Sequence, residues 1–248
     1  MDTVNYEKKS PTAWITINRP QVMNACDPST TDYIYGCEQD FDKDPDLKVL
    51  VLTGAGERAF CTGMDLKAAA ARIASGGPVS NVVPPYMKTD KVTIAAVNGY
   101  AVAGGLERAL ACDIRIASDN AQFGCFEIRR GLPNPPDPLI RLVGFGPALH
   151  MLLSGELIDA QEALRIGLVT KVVSAQELIP TVEEMAARMG EYPTEVLVAT
   201  KKAAFAGRDM TTEQSHLYAR ALSAPLRDSD ISREGVTAFA ERRKANYG

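Results

Sequence analysis

The sequence is poor in the residues from which several kinds of functional site are built. It has two histidines, His150 and His216, and they lie far apart in the chain, so a histidine-based metal site is not expected. Neither histidine lies near a glycine-flanked serine, which leaves serine–histidine–aspartate catalysis without support. The five cysteines contain no CxxC pair, and in a chain of this size they are typical of buried, reduced thiols in a cytosolic protein.

Long apolar runs and blocks of one charge are also missing. No apolar stretch approaches the roughly 20 residues that a membrane-spanning helix needs, and MDTVNYEKKS at the start lacks the apolar core of a signal peptide. The net charge is −4 with no basic block, which disfavours a nucleic-acid surface. We therefore expect a cytoplasmic protein that binds neither nucleic acid nor a membrane.

The patterns that are present predict an α/β domain with a helical end. Strand-like segments at 13–17, 47–54, 92–97 and 113–118 alternate with helix-forming segments up to about residue 135. From about residue 146 the pattern is mostly helical, and one strand-like segment interrupts it at 168–173. Asp27 is a plausible N-cap with Pro28 at the first helical position. The segment 75–86, SGGPVSNVVPPY, is expected to be a mobile loop that could close over a ligand.

Two glycine-containing turns are candidates for binding an oxygen that becomes anionic. The stretch 98–105, NGYAVAGG, is predicted to be a turn between a strand-like segment and a helix, and at Gly104 and Gly105 its backbone N–H groups can approach a ligand closely. Gly63 precedes Met64, at which the next helix is predicted to begin. Two such N–H groups would form an oxyanion hole if the fold brought them together, and tight turns packed against a sheet are the alternative.

Glu107 and Glu127 are candidates for acid and base catalysis. Both lie in largely apolar stretches, and burial separates the pKa values of two carboxyl groups so that one can act as acid and the other as base. The alternative is that Glu107 caps the N–H groups at the start of its helix and that Glu127 is a solvated loop residue. The residues alone leave both interpretations open.

Together these segments resemble the crotonase family, the enoyl-CoA hydratase and isomerase superfamily, over nearly the whole chain. ITINRPQVMNA is similar to the family's N-terminal strand and turn. FCTGMDLK and IAAVNGYAVAGGLERALACDIRIAS are similar to its two signature segments. LLSGELIDAQEALRIGLVTKVV and REGVTAFAERRKANY resemble its later helices and its tail. Each segment alone is weak, whereas the combination is specific.

The resemblance implies a crotonase-like α/β fold of repeated ββα units in two roughly perpendicular sheets, followed by a helical trimerisation region. We accordingly expect an acyl-CoA-binding core at 1–190 and a helical oligomerisation region at 191–248. Members of this family bind acyl-CoA thioesters as homotrimers or homohexamers. No metal and no separate cofactor are expected, because coenzyme A is part of the substrate.

Carried over by position, the resemblance implies roles for nine residues. The backbone N–H groups of Met64 and Gly104 would form the oxyanion hole, and Glu107 and Glu127 match the catalytic pair of the hydratases. The residues expected to contact coenzyme A are Ala25, Asp65, Leu66, Lys67 and Arg242, the last from a neighbouring subunit. Isomerases of the family often keep one acid, so the pair favours enoyl-CoA hydratase activity, the reversible conversion of a 2-enoyl-CoA to a 3-hydroxyacyl-CoA.

The chain departs from the family pattern at two places. Gln21 stands where a lysine is typical beside the cofactor. After Glu127, hydratases typically have a Pro-Gly-x-Gly-Gly turn whose N–H groups help to orient the catalytic water, and here Pro133–Pro138 reads PNPPDP. Pro135 stands at an expected glycine position and has no N–H to donate. The side chain of Asn134 or Asp137 could replace that contact, or the glutamates could hold the water alone.

Three arginines adjoin the two acids. Arg108 follows Glu107, while Arg129 and Arg130 come shortly after Glu127. They are expected to pair with acids at the solvated surface, and the alternative is that they bind a carboxylate on the acyl group. MDLKAAA also resembles the carnitinyl-CoA dehydratases, which leaves an isomerase or a specialised dehydratase or lyase as the alternative function. A non-catalytic crotonase-fold binding protein is the alternative of another class, and the paired acids and acidic charge disfavour it.

Overall fold

The computed structural model describes residues 2–78 and 89–247, and it confirms an α/β fold built from ββα units. In the described part of the chain the unit occurs three times and is followed by a fourth strand pair. The elements are β1 (Val4–Lys9), β2 (Thr12–Ile17), α1 (Pro28–Lys43), β3 (Val49–Gly54), β4 (Ala59–Cys61), α2 (Leu66–Ala74), β5 (Val92–Val97), β6 (Tyr100–Val102), α3 (Gly104–Ala111), β7 (Ile114–Ser118) and β8 (Gln122–Gly124).

The remainder of the chain is mostly helical, as predicted. A 3-10 turn at Phe126–Arg130 follows β8. The later elements are α4 (Leu139–Val143), α5 (Phe145–Ser154), β9 (Ile158–Asp159), α6 (Ala160–Arg165), β10 (Lys171–Val173), α7 (Leu178–Gly190), α8 (Thr194–Gly207), α9 (Thr212–Arg227) and α10 (Asp230–Ala240). The predicted boundary between residues 190 and 191 coincides with the end of α7, and the division into two functional regions stays a prediction.

The strands form two sheets, and each later strand pair contributes to both. The larger sheet has the order β1-β2-β3-β5-β7-β10, in which β1 and β2 are antiparallel and the other neighbours are parallel. The smaller sheet has the order β4-β6-β8-β9, with β4, β6 and β8 parallel and β9 antiparallel. Three parallel strands of the smaller sheet therefore end at the same edge.

The central strands are apolar throughout because both of their faces are covered. Along β3, Leu50 and Leu52 pack into the core that contains α1 and α3. Val49 and Val51, on the opposite face, pack against Val182 and its neighbours on α7. This period-2 division fixes the register of the sheet, because a slip of one residue would exchange the two cores.

Two local predictions near the glycines were wrong. The stretch 98–105 was predicted to be a turn, but Tyr100–Val102 forms β6. This strand is three residues long, too short to show an alternating pattern, and it lies between Gly99 and Ala103, which both have positive φ angles. Met64 was predicted to begin a helix, but the helix begins at Leu66, with Asp65 as its N-cap.

Of the other local predictions, those for Asp27 and the cysteines agree with the structure, and that for the strand at 168–173 agrees in part. Asp27 caps α1 by accepting a hydrogen bond from the Thr30 N–H at 2.8 Å, as predicted. All five cysteines are buried and free of disulfides, which was also predicted. The strand predicted at 168–173 is shorter, and of the predicted loop 75–86 the residues 79–86 lie outside the described ranges. In the described part of the chain, no helix is long and apolar enough to cross a membrane.

Candidate active site

The candidate site lies where three neighbouring strands of the smaller sheet end. Gly63 and Met64 follow β4, Gly104 follows β6, and Glu127 follows β8. The carboxyl ends of parallel strands meet at one edge of a sheet, which is where α/β proteins commonly bind their ligands. A cavity of about 980 Å³ opens at this edge, and these four residues and Glu107 line it. The fold thus brings together the predicted catalytic and oxyanion-hole residues.

The two glycine turns are in direct contact. A Cβ atom at Gly63 would lie 2.8 Å from the backbone nitrogen of Gly104, and Gly63 has a φ of +82°. A Cβ atom at Gly105 would lie 1.9 Å from the carbonyl oxygen of Cys61, so the start of α3 packs directly against the end of β4. Both positions require glycine, because any larger residue would separate the turns.

The backbone around Met64 is held by a short parallel bridge to Cys26. The Cys26 N–H donates to the Gly63 carbonyl at 2.8 Å, and the Asp65 N–H donates to the Cys26 carbonyl at 2.9 Å. Since successive N–H groups of an extended chain point to opposite sides, the N–H of Met64 points away from Cys26. The N–H of Gly104, at the first position of α3, belongs to the helix-start groups that have no acceptor within the helix.

The two glutamates approach the cavity from different elements. Glu107 lies in the first turn of α3, Glu127 lies in the 3-10 turn after β8, and both side chains are half-buried. Burial raises the pKa of Glu127, and the negative charge of Glu107 raises it further, while hydrogen bonds to the carboxylate oppose the rise. Glu127 therefore holds its proton to a higher pH than an ordinary glutamate.

Asn134, in the proline-rich turn, supplies one of those hydrogen bonds. Its Nδ2 donates to Oε2 of Glu127 at 2.7 Å. Asp137, the other residue considered as a replacement for the missing N–H, accepts a hydrogen bond from Arg141 Nε at 2.9 Å. The side-chain amide of Asn134 thus lies beside the acid in the turn where hydratases typically have glycines.

Arg19 is a residue that the sequence did not reveal. Its Nη2 lies 3.0 Å from Oδ2 of Asp65 and 3.1 Å from Oδ2 of Asp27, and its Nη1 donates to the Ala25 carbonyl at 2.5 Å. Asp27 and Asp65 are the N-caps of α1 and α2, so one guanidinium joins the starts of both helices beside the cavity. Asp27 was predicted as a cap and Asp65 was not, and no sequence signal links either residue to Arg19.

The residues predicted to contact coenzyme A fall into two groups. Ala25, Asp65, Leu66 and Lys67 line the cavity, and Gln21 lies on the same wall. Asp65 also accepts hydrogen bonds from the N–H groups of Lys67 and Ala68, so its side chain shapes the helix start.

Arg242 lies outside this group. It follows α10, is exposed, and has a positive φ. It is not among the described residues that line the cavity. Its contact with coenzyme A in a neighbouring subunit stays a prediction.

The expectation that the neighbouring arginines lie at the solvated surface was wrong for Arg108. Its residue exposure is 8 %, and it lines the cavity wall. The direction of α3, which turns this side chain toward α1, could not be read from the sequence. Arg129 and Arg130 are exposed as expected, with Arg129 stacked over the ring of Phe126 at 4.1 Å and Arg130 at the cavity rim.

Two sheets built from ββα units, with a cavity where two backbone turns meet two carboxyl groups, define a crotonase-type α/β fold. The crystal structure of an enoyl-CoA hydratase from Bacillus anthracis matches it with a TM-score of 0.90 over 99 % of each chain, at 27 % identity. A family model for enoyl-CoA hydratase/isomerase matches residues 7–248. The chain belongs to this enoyl-CoA hydratase/isomerase family.

Two relatives are similar to this chain over nearly their full length. The (E)-benzylidenesuccinyl-CoA hydratase of Thauera aromatica is 43 % identical over 97 % of this chain and 96 % of its own. The crotonyl-CoA hydratase of Syntrophomonas wolfei is 36 % identical over 99 % of this chain and 98 % of its own. Both are named as hydratases of acyl-CoA thioesters.

Proposed function

We propose that the protein is an enoyl-CoA hydratase, which adds water reversibly across the double bond of a 2-enoyl-CoA thioester to give a 3-hydroxyacyl-CoA. The observation that carries the proposal is the meeting of two N–H-bearing turns, at Gly63–Met64 and Gly104, with Glu107 and Glu127 on one cavity. The likeness to full-length relatives named as hydratases supports the reaction class.

The backbone groups would act on the thioester carbonyl. Addition of water to the conjugated double bond places negative charge on that oxygen as an enolate forms. The N–H groups of Met64 and Gly104 would donate to it, and each such donor is often worth about 3 kcal/mol of transition-state stabilisation. Because the contact at Gly63 and Gly104 holds both turns in place, little reorganisation is needed as the charge develops.

The glutamates would divide the proton transfers. Glu107, as a carboxylate, takes a proton from water while the hydroxyl oxygen bonds to the β-carbon. Glu127, whose pKa is raised, donates its proton to the α-carbon. The substrate gains the elements of one water molecule without a net change of oxidation state, and release of a proton from Glu107 and uptake of one by Glu127 return both groups to their starting states. Dehydration follows the same steps in reverse. Asn134 would hold the Glu127 carboxyl in place.

Coenzyme A would lie along the wall from Gln21 to Ala25 and across the start of α2, at Asp65–Lys67. Lys67 and, from a neighbouring subunit, Arg242 are the cations proposed for its phosphates. We further propose a homotrimer or a pair of trimers, because the C-terminal helices leave apolar side chains exposed.

The reaction class is tested by assaying three substrates side by side: crotonyl-CoA, a β,γ-enoyl-CoA and a 3-hydroxyacyl-CoA. The proposal expects turnover of the first and third, linked by one equilibrium, and at most slow isomerisation of the second. Isomerisation without hydration would instead assign the alternative function.

The acyl group itself is suggested by a relative. The succinyl part of (E)-benzylidenesuccinyl-CoA is a diacid with one thioester, so one carboxylate is free. An enoyl-CoA with a second carboxylate is therefore the candidate substrate that the comparison supports.

A further inference from the structure

Arg108 is a buried cation in the wall of the proposed acyl-CoA cavity. Its exposure is 8 %, and its Nη2 lies 3.5 Å from Oγ1 of Thr31 on α1, another residue of that wall. Removing a guanidinium from water is costly, and proteins place buried arginines where they meet anions. The proposed hydration chemistry assigns no step to this positive charge.

The surroundings of Arg108 include an acid on the side away from the cavity. Glu38 borders a small void of about 20 Å³ that Arg108 also lines. Burial raises the pKa of Glu38 to about 7, although the charge of Arg108 opposes the rise. Near neutral pH a substantial part of Glu38 is therefore protonated.

A substrate that carries a negative charge needs a cation in this cavity. Glu107 and Glu127 both line it, so a substrate with a second carboxylate would meet two acids. Arg108 directly follows Glu107 on α3, and neighbouring residues of a helix point about 100° apart. The cation and the base therefore reach different parts of one cavity, and the cation can hold an anion without displacing the base.

We propose that Arg108 is a specificity-determining residue that binds a free carboxylate on the acyl group of the substrate. This inference rests on the proposed hydratase function and names its substrate class, an enoyl-CoA that carries a second carboxylate. A planar guanidinium binds a carboxylate through two parallel hydrogen bonds, which fixes the orientation of the acyl group as well as its charge. Arg130 is the other arginine that could bind this carboxylate, but it is exposed at the cavity rim.

The test compares (E)-benzylidenesuccinyl-CoA with the methyl ester of its free carboxyl group and with crotonyl-CoA. The wild type is expected to prefer the free acid over the ester in kcat/KM. Arg108→Gln should lower kcat/KM for the free acid roughly 100-fold more than for the ester or crotonyl-CoA, as loss of a charge-assisted hydrogen bond predicts. Arg108→Lys should keep part of the preference, because it keeps the charge without the paired geometry.

Two further variants serve as comparison. Arg129→Gln removes a neighbouring exposed charge that is not on the cavity and should keep the preference for the free acid. A selective loss in Arg130→Gln and none in Arg108→Gln would overturn the inference. So would an equal loss on all three substrates in both Arg108 variants with unchanged melting temperatures, since this indicates a role of Arg108 that does not depend on the free carboxylate.

The wild type separates the two proposals. Hydration of crotonyl-CoA without preference for the free acid over its ester overturns the inference and leaves the proposed function standing. Failure to hydrate any of the three substrates overturns both.

Discussion

At the scale of single residues, the protonation state of the Glu127 carboxyl depends on burial, on the charge of Glu107 and on hydrogen bonds. Burial and the charge of Glu107 favour the protonated form, while the amide of Asn134, 2.7 Å away, favours the carboxylate. Pro135 has no N–H to donate, and the hydrogen bond from this turn to Glu127 comes from a side chain, that of Asn134. Asn134 is therefore one of the groups that set the pKa of Glu127, and it can be replaced by mutation.

Asn134→Ala should raise the pKa of Glu127 further, because it removes a donor to the charged form. In hydration Glu127 must be protonated, so activity that is lost as pH rises through its pKa should persist to higher pH. In dehydration Glu127 must be ionised, so activity should appear only at higher pH than in the wild type. The shift should be smaller than the rise that burial causes, because the Asn134 hydrogen bond is the weakest of the influences on the pKa of Glu127.

Profiles of kcat/KM against pH, measured for hydration and for dehydration, show the change in the pKa of Glu127. Asp137→Asn is the matched control, since Asp137 pairs with Arg141 and should leave both profiles in place. A profile for Asn134→Ala that stays fixed or moves to lower pH would contradict the assignment.

Residues that belong to local motifs could be predicted from the sequence, and residues defined by distant partners could not. Glu107, Glu127, Met64 and Gly104 stand in recognisable segments, and the structure places all four on one cavity. The burial of Arg108 depends on how α3 is rotated against α1, which its own neighbours in the sequence do not determine.

At the scale of elements, the site depends on how closely α3 approaches β4. The start of α3 packs on the Cys61 carbonyl, and the turn before it touches Gly63. These contacts align the ends of β4, β6 and β8, and with them the N–H groups and the acid that follow. The spacing between the two turns is therefore set by backbone contact and is sensitive to a single methyl group.

Gly105→Ala should destabilise the fold strongly, because its Cβ would lie 1.9 Å from a backbone oxygen. Relief requires α3 to move, and we expect a loss of about 3 kcal/mol or more in the free energy of unfolding. Gly104→Ala, one residue earlier, is the matched control, since its Cβ would lie 3.5 Å from the Gly63 Cα, an ordinary contact. Urea denaturation of both variants measures the difference, and equal stabilities would refute the packing account.

The longer elements could be predicted and the short strands could not. The segments at 47–54 and 92–97 contain β3 and β5, because continuous apolar sequence is typical of strands that are buried on both faces. The strands of the smaller sheet are two or three residues long, too short to show a period. Their pairing, which brings Gly63 to Gly104, is a property of the tertiary fold.

At the scale of the whole molecule, the C-terminal helices present an apolar surface. Leu217, Val236 and Phe239 are between 61 % and 86 % exposed. A groove of about 930 Å³ runs between α8, α9 and α10. Large exposed apolar surface is typical of a site that another protein covers, which agrees with the proposed assembly of three or six chains.

Phe239→Asp should weaken this assembly, because each subunit would then bring an unpaired charge into an apolar contact. Phe239→Leu, which keeps the side chain apolar, should assemble almost normally. Light scattering after size-exclusion chromatography measures the mass directly. A wild-type mass of one chain, or a Phe239→Asp variant that assembles like the wild type, would contradict the proposed interface.

Two carboxyl groups on one cavity are proposed to carry out the hydration, and the kcat of Glu107→Gln and Glu127→Gln on crotonyl-CoA tests their role most directly. Each replacement keeps size and polarity but removes the proton transfer, so kcat should fall about 100- to 10,000-fold while coenzyme A binding stays nearly unchanged. A kcat within a few-fold of the wild type in either folded variant would contradict the assignment of that glutamate.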